Sequence, residues 1–490
     1  MGKEMVSVKN KVMLIYPPGK LYQRGEDRCQ ISIEDSTSNA MRACNDLGYC
    51  AAVLEKKGYK IFLMDYQTEK KLFDDVHQDI DRFQPDLIMI SVTNATIFGD
   101  ITFADSLHDL CDAVIVLKGA IFYAPPPEFL SLLDLKNIDY LIGGEAETCI
   151  VGIVDYSLRN EGTIEDANNI FYKDSNGNFV STRFHCWMEN LDGIPFPARQ
   201  YMNNKLYTRP DTNEPMATIQ TSRGCAASCI YCLSPQISGK NVRYRSPENV
   251  YAEIEECYYK FNIRNFFFKA DTFTLNAKWT NQLCQMIISS PLYKKIHFTA
   301  NSRTNPISYE TLLLMKKAGC FAIAFGFESG SDETMERIKK GAMVKHNLQA
   351  AQWAREAGLP IFGFFIIGFP WETKEHLELT RKHIFDIMPD FLEVAIALPY
   401  HGTELYKLCK DSGTLENGSL GTDIYLKSGV NGTCYLSQKE LLAYRNWLLK
   451  AYCLRPSYIL RRLKDCIYNP LILLNYAKYG LRMIKNTNRL

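Results

Sequence analysis

Thr221-Ser-Arg-Gly-Cys-Ala-Ala-Ser-Cys-Ile-Tyr-Cys-Leu-Ser-Pro235 is the stretch on which the reading of this chain turns. It sets Cys225, Cys229 and Cys232 in a C-x3-C-x2-C array. Three thiolates this close reach three corners of one small iron–sulfur cluster while the loop wraps around it. Such clusters ordinarily take four cysteines, so three leave one iron open to a small molecule. Zinc, or three unrelated thiols, are the plainer alternatives. A structural zinc site wants four ligands, and no histidine lies between Cys186 and His297 to supply one nearby. The tight spacing and the missing fourth ligand favour the cluster.

Around this stretch the chain is ordinary in bulk. With 490 residues, two to three domains are expected. A hydrophobic content of 46% and a charged content of 23% suit a globular protein with sizeable cores. A net charge of +1 gives no global electrostatic case for a nucleic-acid partner. Sixteen scattered cysteines point to a reducing compartment. The start lacks an apolar signal core, and no run reaches the ~18 apolar residues of a spanning helix. A soluble, cytoplasmic enzyme is expected, and an oxygen-free setting would suit the cluster.

Upstream of the cysteines, apolar runs alternate with helical patterns. Strands are expected at Lys11–Tyr16, Ile61–Asp65, Asp86–Val92, Ala113–Leu117 and Asp139–Ile142. Strand–helix alternation argues for an α/β, Rossmann-like domain over residues 1–160, with a parallel sheet and its ligand edge beyond the strand C-termini. No G-x-G-x-x-G is present, so a nicotinamide or flavin dinucleotide site is not supported. A polar linker is expected over 161–215, with Asn176-Gly177 turning a small hairpin and His185-Cys186 a structural pair.

The strand–helix beat resumes at Ala217 and gives six further βα units over 216–400, too few for a closed eight-stranded barrel. Active groups of parallel barrels lie at strand C-termini, and the cysteine loop follows the first strand. Asp271, at the end of the second strand, points a carboxylate at the mouth or caps the next helix. Arg303, at the end of the third, can pair a carboxylate through two parallel hydrogen bonds. Phe266-Phe267-Phe268 and Phe362–Phe369 read as packing aromatics. Residues 401–490 read as mostly helical and, past Leu454, basic. Two readings stand: a peripheral membrane contact, or a helical cap over the barrel mouth, which is favoured.

The cysteine loop, with aromatic Tyr231 before its last cysteine, resembles that of the radical S-adenosylmethionine (SAM) enzymes. The upstream pattern resembles the cobalamin-binding domain that precedes the barrel in one large subfamily. That likeness rests on Tyr16-Pro17-Pro18, Ser91-Val-Thr93, Gly119 and Ile142-Gly-Gly-Glu-Ala-Glu-Thr148, the last including Gly144 and Glu145. The family has two adjacent glycines where this chain has Gly119-Ala120. His77 falls on a helix and reads as a surface residue, so no lower histidine ligand to the cobalt is expected.

The resemblance implies a fold: a Rossmann-like cobalamin-binding domain, a partial (β/α)6 radical SAM barrel and a helical C-terminal region. It implies a 4Fe-4S cluster on Cys225, Cys229 and Cys232, with SAM chelating the open iron. SAM contacts are implied at Tyr231, Glu328, Ser329 and Gly368–Pro370, joined by Asp271 and Arg303; for Glu328 a helix-start carboxylate is the alternative. Cobalamin contacts are implied at Tyr16, Pro17, Ser91, Thr93, Gly119, Gly144 and Glu145. The activity implied is a cobalamin-dependent methyltransferase. A 5′-deoxyadenosyl radical takes hydrogen from an unactivated carbon, which then receives the methyl of methylcobalamin. A non-methylating rearrangement or cyclisation is the alternative, and a redox- or cobalamin-sensing module is the non-enzymatic one. Methylthio transfer to RNA would need more cluster cysteines upstream, and Cys29, Cys44, Cys50, Cys111 and Cys149 do not form that pattern. The partners implied are a small-molecule or lipid substrate and an electron donor such as flavodoxin or ferredoxin.

Overall fold

A computed structural model describes residues 9–24, 32–34, 36, 41–123, 127–415, 431–466 and 470–487. Cys29 lies outside the described residues. The chain divides into two compact units: Met1–Gln30, Cys44–Asn203 and Gln236–Gly239 form one, and Ile31–Ala43, Asn204–Pro235 and Lys240–Leu490 the other.

The first unit is built on a seven-stranded sheet of order β2-β1-β3-β4-β5-β6-β7. Its strands are β1 (Lys11–Tyr16), β2 (Lys60–Asp65), β3 (Leu87–Ser91), β4 (Val114–Lys118), β5 (Tyr140–Ile142), β6 (Ile170–Lys173) and β7 (Phe179–Ser181). The first five pair in parallel. β3 is buried throughout and β1 at every residue but its first, as expected of strands covered on both faces.

Within residues 161–215, read as a linker, the expected hairpin adds two antiparallel strands to the sheet, with Ile142 facing Ile170 and Tyr172 facing Val180. The Asp174 side chain accepts the N–H groups of Asn176 and Asn178, and Gly177 takes a φ of +80°, so the turn is locally made. Further on, the Ala198 N–H donates to the Gly48 carbonyl and the Trp187 indole to the Ile237 carbonyl. A polar segment packs here because its hydrogen bonds reach far along the chain.

The second unit holds a six-stranded parallel sheet whose order follows the sequence: β8 (Met216–Gln220), β9 (Asn265–Lys269), β10 (His297–Arg303), β11 (Cys320–Glu328), β12 (Ile361–Ile367) and β13 (Phe391–Ile396). β8 and β13 are its edges, so the barrel is partial. Phe266 and Phe268 stack on the outer face with Phe273 and Phe298. Phe267, one residue out of phase, lies beneath the Arg42 guanidinium at 3.5 Å.

The C-terminal helices do not cap the mouth. Gln438–Cys453 lies along β13, where Arg445 donates to the Val394 carbonyl. Pro456–Cys466 is tied to the residues that lead into β13: the Tyr458 hydroxyl donates to the Asp390 carbonyl, Arg461 to those of Met388 and Pro389, and Arg462 to the Asp390 carboxylate. Pro470–Thr487 holds the segment before β8 through Asn475 to the Asp211 carbonyl and Tyr479 to that of Pro210. Both helices therefore cover the N-terminal ends of the strands, opposite the cysteine loop. No described helix is long and apolar enough to cross a membrane.

Candidate active site

The cysteine loop starts from a strand with no freedom to move. β8 is buried at every residue, and beyond it the Thr221 N–H and hydroxyl both donate to the Lys269 carbonyl. Ser222–Arg223 then pairs antiparallel with Arg243–Tyr244, so the chain leaves and returns at the same place. The buried Arg245–Glu253 pair locks the return, with Arg245 also donating to the Gln220 carbonyl and the Trp279 indole to the Arg245 carbonyl. Gly224, at φ +95°, makes the turn into the loop.

The three cysteines are half-buried free thiols. Donors lie against two of them: Arg303 Nη1 is 3.7 Å from Cys229 Sγ, and the Ser234 N–H is 3.5 Å from Cys232 Sγ. Burial and the Asp271 carboxylate raise the Cys225 thiol, and burial raises Cys232 to about 12 despite the Ser234 hydrogen bonds. A thiophilic metal centre would therefore displace protons on binding. Among the described residues no group of three or more His, Cys, Asp or Glu converges on a single ion. Soft thiolate donors on one loop, with N–H groups directed at sulfur, fit an iron–sulfur cluster.

Glu328 lies near these sulfurs. It ends β11 in the left-handed region, at φ +63°, where a non-glycine residue is uncommon. Its carboxylate accepts the Lys340 ammonium at 2.6 Å with both side chains buried, and its charge acts on the Tyr231 phenol. Burial, then the Glu328 charge, holds the Tyr231 phenol far above its usual range. Gly326 makes room for this pair: a Cβ there would stand 2.4 Å from Glu328 Oε1 and 2.9 Å from Lys340 Nζ. The strained backbone and the buried ion pair argue for a functional carboxylate rather than a helix-start charge; the helix that follows is capped by Ser331.

The other expected contacts divide. Asp271 accepts from the Ser234 hydroxyl at 3.0 Å, which ties it to the cysteine loop; the next helix is capped by Asn276, not by Asp271. Arg303 makes no ion pair among the described residues, which leaves its guanidinium for an anionic group. Ser329 is fully buried and its hydroxyl is spent on Thr380 and the Ser331 N–H, so only its backbone could meet a ligand. The turn at Gly368–Pro370 is held from within: the Glu372 carboxylate accepts the N–H groups of Gly368 at 2.7 Å and Phe369 at 3.1 Å. Burial raises the Glu372 carboxyl to about 7. Those two N–H groups are therefore not on offer to an adenine. The fully buried Phe369 ring stacks on Trp371 and lies 6.0 Å from that of Tyr231, centroid to centroid.

In the first unit the expected cobalamin contacts all fall at the C-terminal edge of the sheet, but most of their side chains turn inward. The Tyr16 hydroxyl donates to Asp46 at 2.5 Å, the Ser91 hydroxyl at 2.9 Å and Lys118 at 3.2 Å. Burial pushes the Asp46 carboxyl up, but the Lys118 cation and these hydrogen bonds outweigh it and hold the carboxyl low. Thr93 bonds Thr96, and Glu145 accepts the Met188 N–H at 3.0 Å. The Tyr16, Ser91, Thr93 and Glu145 side chains thus bond within the edge itself. Pro17, Gly119 and Gly144 remain, and a Cβ on Gly119 would meet Val92 Cγ2 at 2.7 Å. Small residues and backbone along such an edge fit a broad, flat ligand. His185, expected to be structural, hydrogen-bonds the Tyr123 hydroxyl at 3.2 Å.

Lys340, Glu372, Asp46 and Lys118 were not singled out from sequence. Glu372 sits in the Gly-Phe-Pro-Trp-Glu-Thr stretch and had a visible signal; the others meet their partners only across 12 to 72 residues of chain.

Residues 219–384 match the radical SAM superfamily. An uncharacterized methyltransferase of Pyrococcus horikoshii is 31% identical over 361 residues, covering 74% of this chain and 77% of its own. The cytidylyl-2-hydroxyethylphosphonate methyltransferase of Streptomyces wedmorensis is 25% identical, over 85% of this chain and 84% of its own. The anaerobic magnesium-protoporphyrin IX monomethyl ester cyclase of Cereibacter sphaeroides is 26% identical, over 74% of this chain and 60% of its own. Among solved structures, the cobalamin-dependent S-adenosylmethionine radical enzyme OxsB superposes with a TM-score of 0.72 at 16% identity, covering 98% of this chain and 72% of its own. The two-module architecture is that of OxsB. The chain belongs to the radical SAM superfamily.

Proposed function

We propose that this protein is a cobalamin-dependent radical SAM methyltransferase acting on an unactivated carbon of a small-molecule or lipid substrate. The observation that carries the proposal is the constellation of three thiols on one loop, beside the Arg303 guanidinium, which makes no ion pair among the described residues, and a buried carboxylate at Glu328. Cys225, Cys229 and Cys232 would hold a 4Fe-4S cluster, and the edge lined by Pro17, Gly119 and Gly144 would hold cobalamin. When bound, the cluster supplies the electron that cleaves SAM to the 5′-deoxyadenosyl radical, and the cobalamin carries the methyl group. SAM brings an ammonium and a carboxylate. Glu328 is suited to the first and Arg303 to the second. Tyr231 offers an aromatic ring to an adenine. Asp271, held by Ser234, keeps the loop in place. A flavodoxin or ferredoxin is suited to deliver the electron.

Methyl transfer is favoured over cyclisation by the methyltransferase relatives, one of which matches 85% of this chain. The test is anaerobic turnover with a strong reductant and candidate substrates. A methyltransferase forms both 5′-deoxyadenosine and S-adenosylhomocysteine. A cyclase or mutase forms the first alone. Replacing all three cysteines with alanine is expected to remove the brown cluster absorbance and reduce 5′-deoxyadenosine to background. SAM cleavage that survives this change refutes the assignment.

A further inference from the structure

The two last helices, Pro456–Cys466 and Pro470–Thr487, each have two chemically distinct faces. Inward, their polar groups knit the tail to the barrel. The Arg461 and Arg462 guanidiniums are spent on Met388, Pro389 and Asp390, and the Arg455 guanidinium stacks 4.0 Å over the Tyr452 ring. Outward, the helices expose leucines and isoleucines beside lysines. Leu460 is 60% exposed, Leu474 62% and Leu481 70%, with Ile459, Leu463, Leu473 and Ile484 exposed beside them. Leu474, Lys478, Leu481 and Lys485 recur at i, i+4, i+7 and i+11, which puts them on one helical face.

Scattered exposed leucines need no explanation, but a stripe of them does. The cations in and beside the stripe are lysines. Lys464, Lys478 and Lys485 are exposed, and the described exposed residues of both helices include no acid. From Leu454 to the end the sequence has eight Lys and Arg and a single acid, in a chain of net charge +1. We propose that this outward face is a docking surface for an anionic lipid bilayer, with the helices lying in the interface plane.

The charge pattern selects this occupant. Leucines enter the acyl boundary while lysine stems reach back to anionic headgroups. A two-fold dimer through the same face would set lysines against lysines with no described exposed acid to answer them. The face also lies at the N-terminal ends of the barrel strands. The lipid is therefore an attachment point and not the substrate at the cluster loop.

The experiment is cosedimentation of the full chain with vesicles of phosphatidylcholine alone and of phosphatidylcholine with phosphatidylglycerol. Binding is expected only to the anionic vesicles, and it should fall in high salt. Leu474→Glu with Leu481→Glu is expected to abolish it. Lys464→Glu with Lys478→Glu and Lys485→Glu is expected to weaken it on the order of a hundredfold, each lysine counting severalfold near an anionic surface. No binding by the intact protein, equal binding to neutral vesicles, or binding that survives either set of changes would overturn the proposal. So would a dimer in sedimentation velocity that the leucine changes dissociate. Cluster absorbance and SAM cleavage do not depend on this face, so the outcome is separable from the proposed function.

Discussion

The two parallel sheets of this protein treat their ligand edges in opposite ways. In the first unit the polar side chains at the strand ends turn toward one another. Tyr16, Ser91 and Lys118 close on Asp46, and Glu145 closes on the Met188 backbone. Pro17, Gly119 and Gly144 lie beside them, buried at the same edge. In the barrel charged groups stand at the strand ends beside the cysteine loop. Arg303 lies against a cysteine sulfur, and Glu328 is held by Lys340 in a strained backbone. An edge that must admit a large flat ring is best made rigid from beneath and small above. An edge that must grip a zwitterion needs charges preorganised at defined points.

The difference predicts that substitutions in the first unit move stability and substitutions at the mouth move activity. The largest stability effect is expected at Asp46. Asp46→Ala leaves Lys118 buried without its carboxylate, and should cost about 3–5 kcal/mol in chemical denaturation while cluster content is unchanged. Loss of the cluster with intact stability would break the contrast.

Glu372 is a buried, inward-turned group of the mouth, and its signature is pH dependence. Its folded pKa is about 7, raised from an ordinary 4.5. Between those values the unfolded chain has lost its proton and the folded one keeps it. The stabilisation is therefore complete below pH 4.5 and is lost as pH rises through 7, by at most ~3 kcal/mol. Glu372→Gln should flatten that part of the denaturation midpoint against pH. An unchanged slope would show that another group titrates there.

The smallest effect is expected at Arg303. Arg303→Met should leave the thermal midpoint unchanged and raise the KM for SAM roughly tenfold to a hundredfold, as loss of a charged hydrogen bond does. A destabilised protein with unchanged KM would place Arg303 among the structural residues instead.

The sequence by itself determined the alternation of strands and helices, the cysteine loop after the first barrel strand, and the strand ends at which to look. Those are local facts, carried by periodicity and by spacing within a few residues. Only the tertiary structure decided what the strand-end groups face. Tyr16 and Ser91 meet Asp46 across 30 and 45 residues, and Glu328 meets Lys340 across 12. It also placed the last helices at the bottom of the barrel, through Tyr479 and Asn475 bonds that span more than 260 residues. No local pattern encodes such a partner, because a side chain's hydrogen bond is settled by whichever distant element the fold brings beside it.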